Sequence, residues 1–360
     1  MIKSKNHKKL SVIIPCYNEE HTLEHCVERL LKISDADLSL EVAIIDDGSI
    51  DKSNKIAHDL AKKYSEVSVI SHNDNLGKGA AIKTGIKNTS GEFIAIQDAD
   101  LEYDPSDLKK LLQPLIHDYG DIVLGSRFMT TGFHRVLYFW HYLGNKFLTF
   151  LSNVFTNINL TDMETCYKVF RREVFDNIEI REKRFGFEPE IIAKISHRNL
   201  RIYEMGVSYF GRTYEEGKKI KAADGLRAIY CIIHYNIRKT HWPIQFFVFV
   251  CLILATNIFS GLITNLFKII NLNNYQLIIE YLITPIFFSL SFCKIFLHDG
   301  LRNIKLILGS LLIFIAFKYI ISLTYIYNNE IIDSLSKVII VFLYFILTKR
   351  IFLFNKPNEL

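Results

Sequence analysis

Between residues 10 and 126 the chain alternates short apolar runs with amphipathic stretches, and few architectures accept that order. The runs Leu10–Cys16, Leu40–Asp46, Val67–Ser71, Phe93–Asp98 and Asp121–Ser126 read as buried strands. The stretches Thr22–Ile33, Lys52–Tyr64, Lys78–Asn88 and Pro105–Tyr119 read as helices between them. Such alternation predicts an α/β unit, a mainly parallel sheet with helices on both faces. Ligands of these sheets bind beyond the carboxyl ends of the strands, so the polar residues there are the site candidates.

Those ends are chemically loaded. The first run ends in Pro15-Cys16-Tyr17-Asn18-Glu19-Glu20, the second in Asp46-Asp47-Gly48-Ser49, and the fourth in Gln97-Asp98-Ala99-Asp100-Leu101-Glu102. Carboxylates gathered at one edge repel, and a hard dication such as Mg²⁺ or Mn²⁺ gives them a reason to assemble. Asn75-Leu76-Gly77-Lys78-Gly79-Ala80 opens a helix, where glycines allow close backbone approach and helix N-termini attract phosphate. Ile82 stands where a dinucleotide fingerprint needs its third glycine, and no G-x-x-x-x-G-K-[ST] occurs. NAD binding and P-loop hydrolysis therefore lose their main support.

The rest of the chain is of another kind. Residues 1–241 hold 34 Lys/Arg and 33 Asp/Glu, whereas residues 242–360 hold 9 and 5 in a strongly apolar background. Segments 243–264, 276–297, 304–326 and 336–354 approach or exceed the ~20 residues needed to cross a bilayer, predicting an all-α membrane domain over 242–360. Lys/Arg cluster at Arg238 and Lys239, at Arg302 and Lys305, and at Lys349, Arg350 and Lys356, so four crossings with both ends inside fit the bias. Residues 222–241 read as a juxtamembrane amphipathic helix. The aromatic run 134–156 fits either a core helix or one lying at the membrane surface; either helix would serve equally for self-association into a homo-oligomer. The first ten residues are polar and Lys-rich, so the globular part, residues 1–221, is expected to stay in the cytoplasm. The net charge of +5 provides no basic stripe for nucleic acid. The cysteines form no C-x-x-C pair and read as small buried hydrophobes. His72 and His141 have no partner pattern and read as incidental.

The order SVIIPCYNEE, DDGS, NLGKGAA, QDADLEYDP and GSR resembles the GT-A domain of glycosyltransferase family 2. TDMETCYKVFRR (161–172), FGFEPEI (185–191) and FGRTYEEGKKIKAADGLRA (210–228) resemble its polyprenyl-phosphate branch, which serves dolichyl and undecaprenyl phosphate. The resemblance implies a nucleotide-sugar site at Pro15, Tyr17, Asn18, Glu19, Asp47, Lys78, Gln97 and Asp98. Pro15, Tyr17, Asn18, Glu19 and Asp47 would hold the nucleobase and ribose, with Lys78 beside them. It implies Mg²⁺ or Mn²⁺ on Asp98, Asp100 and Glu102. Arg127, Arg212 and Lys218 would face phosphates, Glu188 and Glu190 would lie near the sugar or the acceptor, and Asp162 and Glu164 would orient the acceptor. Arg171 and Arg172 read as a solvated strand end, and Asn18 is open to a helix-capping role.

The implied reaction is inverting transfer of a hexose from a nucleotide sugar to a polyprenyl phosphate in the membrane. UDP-glucose is the favoured donor and GDP-mannose the alternative. A processive polysaccharide synthase would carry Q-x-x-R-W, which is absent. Transfer to a glycan or protein hydroxyl would need a general base, for which Asp162 or Glu164 is available. A membrane scaffold or lipid translocator would have no chemical use for the donor motifs.

Overall fold

The computed structural model describes residues 8–129, 135–136, 138–213, 222–269, 283–296, 308–316 and 341–346. The chain divides into two compact units, Met1–Ile232 and Ile233–Leu360.

In the first unit seven strands form one sheet: β1 (Lys8–Cys16), β2 (Leu38–Asp46), β3 (Val67–Ser71), β4 (Phe93–Ile96), β5 (Ile122–Ser126), β6 (Lys168–Arg171) and β7 (Ile202–Gly206). Their spatial order is β3-β2-β1-β4-β6-β5-β7. The first four are parallel, with Cys16 opposite Asp46 and Ile13 opposite Ile96. β6 enters antiparallel between β4 and β5, and β7 pairs parallel with β5. The sheet is thus mostly parallel, with one reversed strand that the alternation does not announce.

The central strands are apolar throughout because helices cover both their faces. Ile13, Ala43, Ile45, Ala81 and Ile94 form one buried cluster, each large side chain contributing about 1.5–3 kcal/mol. Helices α1 (Leu23–Leu31), α2 (Ser53–Lys63), α3 (Lys78–Lys87) and α4 (Ser106–Ile116) fall inside the four expected stretches. The chain runs outward from β1 through β2 to β3, then returns across β1 to β4. That reversal opens a crevice at the carboxyl ends of β1 and β4.

Arg171 and Arg172 are not a solvated strand end. Arg172 donates to the carbonyls of Gly91 (2.5 Å) and Ile86 (3.2 Å) and to the hydroxyls of Ser11 and Thr89. Arg171 donates to the Leu115 carbonyl at 2.6 Å and to Asp118 at 2.9 Å. Both arginines are thus tied to carbonyls at helix ends and in the adjoining loops.

Three further helices complete this part of the chain: α5 (Phe139–Thr156), α6 (Phe187–Ser196) and α7 (Ala222–Asn236). α5 is inverted. Thr149, Ser152, Phe155 and Thr156 face inward, while Phe139, Trp140, Tyr142, Leu143, Phe147 and Phe150 are exposed, Trp140 at 76% and Phe150 at 63%. A core helix shows the opposite pattern.

In the second unit α8 (Trp242–Ile269) is the one helix among the described residues long and apolar enough to cross a membrane. α9 (Thr284–Phe296) packs beside it, with the Thr284 hydroxyl 3.0 Å from that of Ser260. Phe249, Phe288, Phe292, Phe314 and Tyr344 form a ring cluster. Most of the expected segments 304–326 and 336–354 lies outside the described residues; their described parts, 308–316 and 341–346, are helical.

Gly77 and Gly79, at the start of α3, make room for another part of the chain. Gly77 sits at φ 100°, and a Cβ there would collide with the Lys183 carbonyl; at Gly79 it would collide with the Glu182 carbonyl. The close approach is made by the chain's own 182–184 segment, and Ala80 N donates to Lys183 O at 3.0 Å. Gly77→Ala is therefore expected to destabilise the protein by about 3 kcal/mol, from left-handed strain plus overpacking. Denaturant unfolding of the full chain in detergent checks this, and a shift below about 0.5 kcal/mol would contradict it.

Candidate active site

The first two strand ends are stitched together by their own side chains. Asn18 adopts φ 53°, which asparagine tolerates. Its Oδ1 accepts from Ile50 N at 2.9 Å, while its own N–H donates to Ser49 Oγ at 3.0 Å. Asn18 thus joins two loops, and Thr22 is the residue at the start of α1. Glu19 N donates to Ser53 Oγ at 2.7 Å. Pro15 lies opposite Ile45, one residue before β1 ends at Cys16 opposite Asp46, and Tyr17 lies half-buried after it.

Asp47 is tied more tightly than a free base-binding carboxylate. It accepts from Leu76 N (3.0 Å), Gly77 N (2.6 Å) and a His72 ring nitrogen (2.7 Å). The other ring nitrogen of His72 lies 2.9 Å from Thr84 Oγ1. His72 is therefore a brace for the loop that presents Lys78, and reading it as incidental is corrected by these two bonds.

The acidic end of β4 turns sharply. Leu101 sits at φ 60°, an outlier for a bulky side chain, and Glu102 N donates to Asp100 Oδ1 at 3.1 Å. The strained turn carries Asp98, Asp100 and Glu102 on one short stretch, and cations meet each of them. Lys78 Nζ lies 2.9 Å from Asp98 and 3.0 Å from Glu188. The Arg212 guanidinium lies 2.9 Å from Asp100, 3.3 Å from Glu102 and 3.3 Å from Glu19. Tyr209 Oη donates to the other Glu102 oxygen at 2.8 Å.

The electrostatics follow this pairing. Burial works against the charge of Asp98, but the Lys78 ammonium outweighs it and holds the carboxyl below its ordinary range. Burial, reinforced by the charges of Asp98 and Glu102, pushes Asp100 up to about 7. Among the described residues no group of three or more His, Cys, Asp or Glu stands ready to hold a metal ion. The donor chemistry nevertheless fits a hard dication: carboxylate oxygens whose mutual repulsion an added double charge would relieve. Lys78 thus lies against Asp98, one residue beyond the Gly77 amide that Asp47 accepts.

Behind these groups lies a second, buried set. Arg127 donates through Nε and Nη2 to Asp162, both at 2.7 Å, and its backbone N–H reaches the same carboxylate at 3.0 Å. The guanidinium also lies 5.2 Å from the centre of the Tyr209 ring. Asp162 is fully committed to Arg127 and is not a free base. Glu164 is pushed up to about 8, first by burial and then by the charge of Glu188. Lys168 is buried beneath them, donating to Thr165 O. Gln97 is an internal strut, bonded by Tyr167 Oη at 2.6 Å and donating to Asp98 O at 2.9 Å. Glu190 faces away from the site: it accepts from Arg181 N and Glu182 N, both at 2.8 Å, and pairs with Lys194.

The structure therefore brings together Glu19, Lys78, Asp98, Asp100, Glu102, Arg212 and Glu188, with Arg127, Asp162 and Glu164 behind them. It separates Glu190, and Lys218 lies outside the described residues. The sequence reading missed His72, Tyr209 and Lys168, since a lone His, Tyr or Lys in an apolar run carries no spacing signal.

Glu164 gives the site a pH signature. Its folded form keeps a proton that the unfolded chain loses near the ordinary value of 4.5. Between about pH 4.5 and 8 the native state binds the extra proton, so this contribution to stability declines as pH rises through that window. Glu164→Gln is expected to remove a downward slope of at most about 1.4 kcal/mol per pH unit. Thermal unfolding across pH 5 to 8, as roughly that window, reads it; an unchanged slope would mean that Glu164 is already ionised.

Residues 11–179 match the family model for glycosyl transferase family 2. The chain is 29% identical over 232 residues to a dolichol-phosphate mannosyltransferase of Pyrococcus furiosus, covering 63% of this chain and 64% of that one. It is 26% identical over 261 residues to a dolichyl-phosphate beta-glucosyltransferase of Trichomonas vaginalis, covering 66% and 76%. The fold is similar to that of glucosyl-3-phosphoglycerate synthase from Mycobacterium tuberculosis, crystallised with Mn²⁺, UDP and phosphoglyceric acid. There the TM-score is 0.51 at 20% identity over 64% of this chain and 79% of that one. The chain carries a glycosyl transferase family 2 domain, and it is a glycosyltransferase.

Proposed function

We propose that the chain transfers a hexose from a nucleoside diphosphate sugar to a polyprenyl phosphate at a membrane surface. The observation that carries the acceptor assignment is α5. Its inward face packs on the segments that carry Arg127, Asp162 and Glu164: Met163 N donates to Thr149 Oγ1 at 3.1 Å, and Lys146 Nζ lies 4.7 Å from the Phe128 ring centre. Its outward face is a stripe of exposed aromatics suited to the headgroup region of a bilayer. A lipid phosphate emerging from that surface would meet the site from the side α5 covers. Two relatives named for dolichol-phosphate sugar transfer support the same acceptor class. The apolar helix α8 supports an integral membrane protein, and the Lys/Arg bias supports a cytoplasmic catalytic unit.

The chemistry needs little proton transfer. A phosphate monoester with a second pKa near ~6 is mostly dianionic at pH 7. One of its oxygens attacks the anomeric carbon as the bond from that carbon to the nucleoside diphosphate breaks, and the electron pair leaves with the diphosphate. In-line attack inverts the anomeric centre. The side chains agree with an acceptor of this type: Asp162 is spent on Arg127 and Glu164 is held protonated, so neither is the ready base that a sugar or protein hydroxyl requires. Arg127 and Arg212 would offset the repulsion between two phosphate groups. Mg²⁺ or Mn²⁺ held by Asp98 and Asp100, with Glu102 beside them, would neutralise charge developing on the leaving diphosphate. Manganese in the Mycobacterium neighbour supports that choice of cofactor. Glucose from UDP-glucose is the preferred donor reading, on the resemblance of the RTYEEGKKI stretch and the Trichomonas relative; mannose from GDP-mannose is the alternative, on the Pyrococcus relative.

A transfer assay in nanodiscs with labelled UDP-glucose or GDP-mannose, polyprenyl phosphate and Mn²⁺ tests the reading. Label is expected in the lipid phase, lost with chelator and reduced at least about 100-fold in Asp98→Ala. Transfer to a soluble hydroxyl acceptor with none to the lipid would overturn it. Replacing Phe147 and Phe150 together by Ser is expected to raise KM for the long-chain lipid about tenfold, roughly the loss of one large apolar burial. The same variant should leave turnover of a short, water-soluble isoprenyl phosphate unchanged. An equal loss with both acceptors would argue against a membrane-facing α5.

A further inference from the structure

We infer that Arg212 is an internal counter-ion which a divalent cation must displace, so that cation binding frees its guanidinium for phosphate. The inference rests on the metal part of the proposed function and adds an order to it. Three carboxylates from two strand ends converge on this one side chain. Nη2 reaches Asp100 at 2.9 Å, Nε reaches Glu102 at 3.3 Å and Nη1 reaches Glu19 at 3.3 Å. The backbone N–H of Arg212 donates to the same Glu102 oxygen at 2.8 Å, and Tyr209 takes the other at 2.8 Å. The planar fork of arginine makes this threefold reach practicable where an ammonium could hold fewer partners.

A dication on Asp98 and Asp100 would share the Asp100 carboxylate with that guanidinium, and like charges so close repel strongly in a half-buried site. The two cations therefore compete for the same oxygens. Lys78 has a second anchor in Glu188 at 3.0 Å and keeps a partner when Asp98 turns to the metal. Arg212, losing Asp100 and Glu102, retains the 3.3 Å contact to Glu19. A guanidinium with unmet donors beside a newly bound diphosphate then favours a second phosphate group. Cation binding therefore precedes engagement of a phosphate by Arg212.

The test is Mn²⁺ binding to the full chain in detergent, without nucleotide, followed by electron paramagnetic resonance. Arg212→Gln is expected to bind Mn²⁺ about tenfold more tightly than the natural chain, because the competitor is gone. Arg212→Lys keeps the charge but loses the fork, and is expected to bind severalfold more tightly. Lys63→Gln, which removes an exposed cation paired with Glu28, should match the natural chain. Tightening in Arg212→Gln with none in Arg212→Lys would report net charge alone and overturn displacement. Equal affinity in all four proteins would also overturn it while leaving the metal assignment intact. Failure of every one of them to bind Mn²⁺ would remove the metal assignment and the displacement with it. Thermal unfolding of each variant confirms that a folded protein is being titrated.

Discussion

Carboxylates gathered at the ends of parallel strands repel one another, and the cations that quiet them explain much of what surrounds this site. Lys78 reaches Asp98 from the start of α3, where Gly77 and Gly79 let the 182–184 segment lie against the helix. Arg212 reaches Asp100 because β7 runs parallel to β5 and delivers the chain to the same edge. Arg127 is held at the end of β5 by Asp162, whose own position depends on Glu204 of β7 accepting its N–H at 3.0 Å. The polar site is thus a consequence of charge balance imposed on a particular strand order.

Much of the first unit was legible in the sequence. Strands β1 to β5 and helices α1 to α4 carry strong periodicity, because each is either wholly buried or has one apolar face. β6 and β7 did not stand out. β6 has four residues and includes the buried Lys168, while β7 has no fully buried position at all, so neither presents the apolar run that marks a central strand. At the site, residue type and place in the chain identified the acids at the strand ends. They did not separate Glu188, which faces Lys78, from Glu190, which binds backbone amides and Lys194. Two residues apart on one helix, these side chains point in different directions, and that difference depends on the packed neighbours.

The glycine-rich stretch and α5 show opposite errors of emphasis. Gly77-Lys78-Gly79 looks like a cradle for a ligand, yet its space is filled by the protein itself. The aromatic run 134–156 reads as easily as a core helix, yet its small polar residues face inward and its rings face out. In both cases composition limits what the segment can do, and only the surrounding chain decides which option is realised.

The reversed strand β6 also sets a timetable for synthesis. Residues 8 to 96 contain β1 to β4 and can pair among themselves as they leave the ribosome. β5 has no sheet neighbour from that group. It must wait for residues 168–171 to arrive between it and β4, and then for β7 to close its other side. The acidic edge is consequently exposed without Arg212 until more than half the chain has emerged, when α7 and then the apolar helix at 242 follow. Pairings that span so many residues form late, so completion of the sheet and emergence of α8 fall close together during translation.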